Sequence, residues 1–424
     1  MAYVDKPAGK MVFPPMRSLD DALIELLAHA TALQGTELVD TFDVDRRVLA
    51  QDVISSINVP GFDNSAMDGY AVSANDCVQL GATLKVTQRI AAGHFGDALS
   101  AGEAARIFTG APVPEGASAV VMQEDCTDLK NGSIQINTAP EPGQWIRRAG
   151  DDILSGQSVL LKGELLTPPS IGLAASIGLN RLTVSQRPRV ALFSTGDELV
   201  MPGDIAPQDM PRGAIYNSNR FFLRALLLRA GCEVTDLGIV PDNFEATVRA
   251  LQTAAHQHDV ILTSGGVSVG EEDHIKPAVQ QLGSLDLWSI SMKPGKPFAY
   301  GQIKKTEGGG AHFIGLPGNP VSSFITFLLL VKPFLAKLQG QINVTGAMHS
   351  IAARADFTVA KADKRREFLR VRRNAGGGLD LYPNQSSGVL TSAVWADGLV
   401  DKPAGSTIAQ GDTVRFLPFS NLLL

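Results

Sequence analysis

The chain has little cysteine, no cluster of histidine, no excess of positive charge and no long unbroken apolar run, and each shortage removes a class of function. Its three cysteines, Cys77, Cys126 and Cys232, lie far apart without Cys-x-x-Cys spacing. Neither a pre-formed zinc site nor a redox pair is expected, and the thiols read as reduced core residues. The histidines are equally scattered. His256 and His258 are close in sequence, but on a helix they point about 200° apart at ~100° per residue, too far round to share a metal. Lys and Arg number 37 against 43 Asp and Glu, a formal charge of −6, which argues against nucleic-acid binding because phosphate contacts need a basic face. The longest apolar stretches, such as 324–331, fall short of the ~20 residues that cross a bilayer, so no membrane helix is predicted. The opening MAYVDKPAGKMVFPP lacks a signal-peptide core and reads as an extended arm, so a cytoplasmic location is expected. No GxxxxGK[ST] and no strand-GxGxxG-helix is present, which removes the usual support for ATPase and dinucleotide readings.

What remains is an ordinary globular composition, 44% apolar and 19% charged, with length for roughly three domains at ~150 residues each. A helix is predicted from Ser18 as N-cap, with Leu19, Leu23, Leu26 and Leu27 on one stripe, ending near Gly35. From Val39 to about 187 short β-type runs alternate with Gly, Pro, Asn and Asp clusters, with one small helix in PPSIGLAASIG. The texture changes at Arg187-Pro188. RVALFS, CEVTDLGIV, DVILTS, DLWSISM, FAYGQI and HFIGL read as strands; helices are expected at 218–231, from Asp242 to about Gln257, from about Glu272, and at length after Pro320. This alternation predicts a doubly wound, mostly parallel α/β domain over 188–340. Beyond Gly340 short alternating segments suggest a small C-terminal β domain.

Ligands of open α/β sheets bind outside the carboxyl ends of the strands. There the sequence places Thr195-Gly196-Asp197-Glu198, then Pro241-Asp242, then a run from Ser264 through Gly265, Gly266, Ser268 and Gly270 to Asp273. Glycines let backbone approach an anion closely, and Glu198, Asp242 and Asp273 are hard oxygen ligands that would hold Mg²⁺ against a phosphate. Taken singly, a Gly-Gly turn and an aspartate at a helix start have structural explanations; together the three loops favour a site. The KPGKP loop with Lys293 and Lys296 suits an oxyanion, and Pro317-Gly318-Asn319-Pro320 is a second rigid loop, although a solvated turn and a helix cap are the plainer alternatives. VPGFDNSAMDGYA, RIFTGAPVPEGASAVV and IRRAGDDI are polar and turn-rich, the last pairing Arg147 and Arg148 with Asp151 and Asp152. KADKRREFLRVRR has seven basic and two acidic residues, but Leu369 and Val371 alternate with Arg370 and Arg372, which reads as a half-exposed strand.

In order, VPGFDNSAMDGYAV, FTGAPVPEGASAVVMQED, IRRAGDDI, LFSTGDEL, IYNSNR, SGGVSVGEEDHIK, MKPGKPFA and GLPGNPVSS resemble the molybdopterin molybdenumtransferase family, MoeA and the gephyrin E domain, over nearly the whole chain. The resemblance implies insertion of molybdate into adenylylated molybdopterin with Mg²⁺-dependent release of AMP. It also implies a homodimer with its active site in a cleft between subunits, and a molybdopterin adenylyltransferase as possible partner. Four domains are implied: a linking domain from 1–54 and 150–187, a β-rich insertion at 55–149, the α/β domain at 188–340 and a β-barrel-like domain at 341–424. The family's functional positions fall on Asp68, Thr109, Arg147, Asp152, Glu198, Asp242, Asp273 and Lys293, with Ser387 in QSSG a further match. Two departures stand out. Ser289 replaces a basic residue usual four positions before Lys293, which bears on the choice between molybdate and tungstate, and Ala149 replaces a third arginine. Competing readings are a non-catalytic molybdopterin-binding scaffold, a tungstate-preferring paralogue, and another transferase or hydrolase on the same α/β domain.

Overall fold

A computed structural model describes residues 16–266, 274–305, 308–345 and 348–423. Ser268, Gly270 and Asp273 lie outside the described residues, as does the opening arm.

The α/β layer is a six-stranded sheet in the order Glu233–Val240, Arg189–Thr195, Val260–Ser264, Gly310–Leu316, Pro297–Lys304, Gly283–Ser289. The first four are parallel, and the last two run antiparallel to their neighbours. Chain length between strands decides this: helical crossovers separate the parallel strands, whereas a short connection folds Pro297–Lys304 back on Gly310–Leu316. Val260–Ser264 is buried throughout, the continuous apolar run of a strand covered on both faces. One face packs on helices Leu19–His29, Ser218–Arg229 and the long helix after Pro320, the other on Phe244–Gln257 and Ile275–Leu282. At the outer edge the pairing skips a residue, Leu192 facing Asp236 and Phe193 facing Gly238, which sits at φ +81°.

The segments flanking the inserted region pair with each other, Thr36–Asp40 with Arg181–Ser185 and Val53–Ile54 with Ser158–Leu160. Between them lies a separate six-stranded sheet containing Gly69–Val72 and Glu103–Ile107. The C-terminal sheet runs Met292–Lys293, Arg366–Arg373, Gly398–Lys402, Thr413–Pro418, Ile351–Arg354, so two residues of the α/β region form its edge.

Four expectations need correction. Residues 320–338 form one helical run with mean hydropathy 1.7, long and apolar enough by length and composition to cross a membrane. Counting unbroken apolar residues missed it because Lys332 and Lys337 interrupt the run. Most of it is buried, and the two ammonium groups donate to the carbonyls of Leu422 (2.7 Å) and Leu27 (2.8 Å). The strand at 366–373 exists, but Arg370 is 1% exposed rather than solvated. Its guanidinium is satisfied by Ser392 Oγ (3.1 Å) and the carbonyls of Phe368 and Ser386 (both 3.2 Å), and burial pushes its pKa down to about 10. Asn243 rather than Asp242 caps Phe244–Gln257, accepting from Ala246 N at 2.9 Å. Arg148 pairs with Asp63 rather than with the aspartates beside it, although its backbone N–H does donate to Asp151 at 2.7 Å.

Candidate functional site

The strand order reverses at Arg189–Thr195: the chain leaves it for the outer edge and returns on its other side as Val260–Ser264. Such a switch point opens a crevice at the carboxyl ends of the two strands. A cavity of about 760 Å³ sits there, lined by Thr195, Gly196, Glu198, Asp242, Ser264, Gly265, Gly266 and the loop from Pro317 to Pro320, among others.

Its floor is backbone and small polar side chains. Gly265 and Gly266 have φ of +96° and +65°, and a Cβ on Gly266 would stand 2.7 Å from Ile275 Cδ1. Only glycine fits that turn. Asn219 Nδ2 donates to Ser264 Oγ and to the carbonyl of Gly318, both at 2.7 Å, tying the two strand-end loops together. Ser323 Oγ donates to the Pro317 carbonyl from the following helix. Beneath this layer Ser194 Oγ, Thr263 Oγ1 and Asn217 Nδ2 are buried without a hydrogen-bond partner among the described residues. Asn64 Oδ1, Trp288 Nε1 and Thr326 Oγ1 are unpartnered in the same way elsewhere, and of the six only Asn217 lines the cavity.

The wall carries acid. Glu198 is exposed, and a Cβ on Gly196 would come within 2.5 Å of its Oε2, so glycine is needed for the carboxylate to fold over the turn. Asp242, released from capping duty by Asn243, is half-buried in the same cavity. Among the described residues no three His, Cys, Asp or Glu side chains cluster closely enough to enclose a metal. Mg²⁺, however, commonly takes one or two carboxylates and completes its shell with water and substrate phosphate, and this donor pair fits that habit.

The lysine loop lies beside the cavity, with Pro297 on its lining. Lys293 Nζ donates to Glu367 Oε1 at 2.8 Å and Asp363 Oδ2 at 3.3 Å in the C-terminal domain. The hydrogen bond with Glu367 raises its pKa further above the ordinary lysine value. Lys296 is exposed, and its carbonyl accepts from Ile290 N at 2.8 Å. Ser387 contributes its carbonyl to Val321 N at 3.0 Å, which brings Gly388 onto the cavity lining. Ser289 accepts at its carbonyl from Arg17 N at 2.9 Å, and the Arg17 guanidinium lies 4.9 Å over the Trp288 ring.

In the inserted region, Asp68 Oδ1 accepts from both Thr109 N (2.7 Å) and Thr109 Oγ1 (2.8 Å), which lowers its pKa from the ordinary carboxylate value. Arg147 and Asp152 are exposed, with Arg147 paired in register to Asn64. None of these four lines the switch-point cavity. The sequence reading missed Asn219, Ser323 and Glu367. Asn219 lies in the IYNSNR segment, where two asparagines around a helix start were the available signal: Asn217 caps the helix, which leaves Asn219 for another task.

A switch-point crevice with a glycine floor defines the class of the α/β layer, and residues 191–337 match the model of a probable molybdopterin binding domain. Residues 17–178 match the MoeA N-terminal region (domain I and II), and 352–419 the MoeA C-terminal region (domain IV). The chain is 40% identical to the molybdopterin molybdenumtransferase of Haemophilus influenzae, covering 96% of this chain and all of that protein. The Nostoc sp. molybdopterin molybdenumtransferase is 34% identical, with 95% and 93% covered. A crystal structure of the molybdopterin biosynthesis moeA protein from Pyrococcus horikoshii OT3 superposes with a TM-score of 0.81 at 27% identity, covering 95% of this chain and 99% of that one. The chain belongs to the MoeA family of molybdopterin molybdenumtransferases.

Proposed function

We propose that this protein is a transferase of molybdenum cofactor biosynthesis that inserts molybdate into adenylylated molybdopterin and releases AMP. The observation that carries the reading is the switch-point cavity, in which Glu198 and Asp242 face a glycine floor within a MoeA chain. The amides of the Gly265–Gly266 turn and the Pro317–Pro320 loop would receive the anionic parts of the pterin substrate. Mg²⁺, when bound, would neutralise phosphate charge and polarise the bond that frees AMP. Glu198 and Asp242 would hold it, with Asp273 as a third candidate from the sequence. Asn219 keeps the two loops at fixed separation, and Lys293 and Lys296, on the loop whose Pro297 lines the cavity, would supply positive charge for a dianion.

Asp68, Thr109, Arg147 and Asp152 enter this scheme if two chains share each cleft, so the working unit is a homodimer in which one chain's inserted region faces the other's α/β domain. A cytoplasmic location and delivery of substrate by a molybdopterin adenylyltransferase complete the proposal.

The test is Asp242→Asn. Magnesium-dependent AMP release should fall by roughly 100-fold, the scale of losing one preorganised electrostatic contact, while the urea midpoint stays near that of the parent. Full AMP release from Asp242→Asn would remove Asp242 from the site. The dimer is tested by mixing Asp68→Ala and Asp242→Asn chains after exchange: shared clefts restore part of the activity, whereas clefts built within one chain restore none.

A further inference from the structure

Lys293 is one end of a short charge ladder whose other members, Glu367 and Lys402, the reaction scheme does not use. Glu367 is 6% exposed and holds an ammonium group on each oxygen: Lys293 on Oε1 at 2.8 Å and Lys402 on Oε2 at 2.7 Å. The two lysines differ in freedom. The Lys402 side chain is wholly buried, whereas that of Lys293 remains 43% exposed. The pairing of Met292–Lys293 with Arg366–Glu367 fixes the backbone of both partners, and Arg366 N donates to the Ser291 carbonyl at 3.1 Å.

A carboxylate that is nearly buried needs a counter-charge at all times, because an isolated buried ion is expensive. If Lys293 were its sole partner, any anion drawing Lys293 away would leave Glu367 uncompensated, and binding would carry that cost. Lys402 removes the conflict. It neutralises Glu367 permanently, so Lys293 is held in place by a carboxylate that does not depend on it, and the longer contact of Lys293 with Asp363 (3.3 Å) falls on an acid that Arg365 also holds.

We propose that Lys402 and Glu367 are positioning residues for oxyanion capture: Glu367 aims Lys293, and Lys402 is the standing counter-charge that leaves Lys293 available to an incoming molybdate-type dianion. This rests on the reading that Lys293 meets the anionic substrate. Arg366 and Arg415 hold the neighbouring Asp401 in a separate set of pairs, with Arg366 bridging Asp401 (2.6 Å) and Asp20 (2.9 Å), so among the described residues Lys293 and Lys402 are the cations on Glu367.

The experiment uses the full-length protein, with molybdate as probe, and measures the concentration for half-maximal molybdenum insertion together with direct molybdate binding by equilibrium dialysis. Lys402→Met makes Lys293 the carboxylate's remaining ammonium partner. Half-saturation and the dialysis constant should both rise about tenfold, the scale of one charge-assisted hydrogen bond, with the maximal rate within about twofold. The double variant Glu367→Leu with Lys402→Met replaces the buried pair with apolar volume, a change that cores often tolerate; it ends the competition for Lys293 but also removes the group that aims it, so both constants should recover only part of the way, to about threefold above the parent. It also keeps the idea testable if Lys402→Met alone fails to fold. Lys293→Ala separates the underlying reading from the proposal. If it raises half-saturation but neither Lys402→Met nor the double variant behaves as stated, the ladder is structural and the proposal falls while Lys293 keeps its role. If Lys293→Ala leaves molybdate dependence unchanged, Lys293 does not meet the anion, and both fall together.

Discussion

The switch-point crevice and the junction around Lys293 adjoin each other and treat polar groups in opposite ways. In the crevice, small side chains and glycines dominate, and Asn217 on its lining keeps a buried Nδ2 unpaired among the described residues. At the junction, Lys293, Glu367 and Lys402 interlock, and Asp401 lies fully buried between Arg366 and Arg415. Polar groups left unmatched in a folded protein cost stability that a ligand recovers; matched ones are already at rest. The difference teaches which of two polar regions receives the substrate and which aims at it.

The comparison predicts that damage to the junction is felt first in stability. Glu367→Ala leaves Lys402 buried without a counter-charge and should cost about 3–5 kcal/mol, read from urea unfolding at neutral pH. A loss below about 1 kcal/mol would mean that water reaches Lys402 once Glu367 is gone, and the contrast with the crevice would collapse.

His312 sharpens the point as a half-buried base with no acid hydrogen-bonded to its ring among the described residues. It meets the Phe334 ring edge-on with centroids 5.0 Å apart, and its Nδ1 meets Tyr300 Oη at 2.9 Å. Burial pushes its pKa from 6.5 down to about 4, with His29 and Lys305 acting in the same direction and Asp259 against it. The folded protein therefore binds its proton less readily than the unfolded chain. The resulting stability is present above pH 6.5 and is lost as pH falls through 4, by about 3 kcal/mol at the lower end. Relative to His312→Gln, the parent should lose that extra amount between pH 7 and pH 4; parallel stability curves would show that His312 does not titrate in this window.

The smallest stability effect belongs to the crevice. Gly266→Ala forces alanine into φ +65° and against Ile275, at a cost of about 1–3 kcal/mol. Its consequence for AMP release should exceed its consequence for folding, since the turn faces the cavity. Equal loss of both would make Gly266 a packing residue.

Much of the α/β layer was legible because strands covered on both faces are written as apolar runs, and RVALFS and DVILTS are such runs. The antiparallel hairpin at the sheet's edge follows from connection length. Side-chain partnerships across long stretches were not legible. Glu367 lies 74 residues from Lys293, and nothing local distinguishes it from the other charges in KADKRREFLRVRR. Arg370 was misread for the same reason: alternation says which residues share a face but not whether a helix, here Leu390–Trp395, covers the other one. Asp242 went the other way, its structural explanation failing because the neighbouring Asn243 performs the cap.

The skipped residue at the outer edge of the α/β sheet has a consequence for how the protein behaves in a crowded solution. Among the described residues Glu233–Val240 is the outermost strand on that side, and a flat edge of this kind invites pairing with another chain. Leu237 is squeezed out of the ladder between Asp236 and Gly238, and a bulge of this sort bends the strand and interrupts the regular row of donors and acceptors. Asp236 is held by Arg220 at 2.6 Å, which fixes a charge on the bend. The sheet thus ends in a border that resists strand-by-strand growth, protecting an enzyme with one long flank of parallel strands from aggregation.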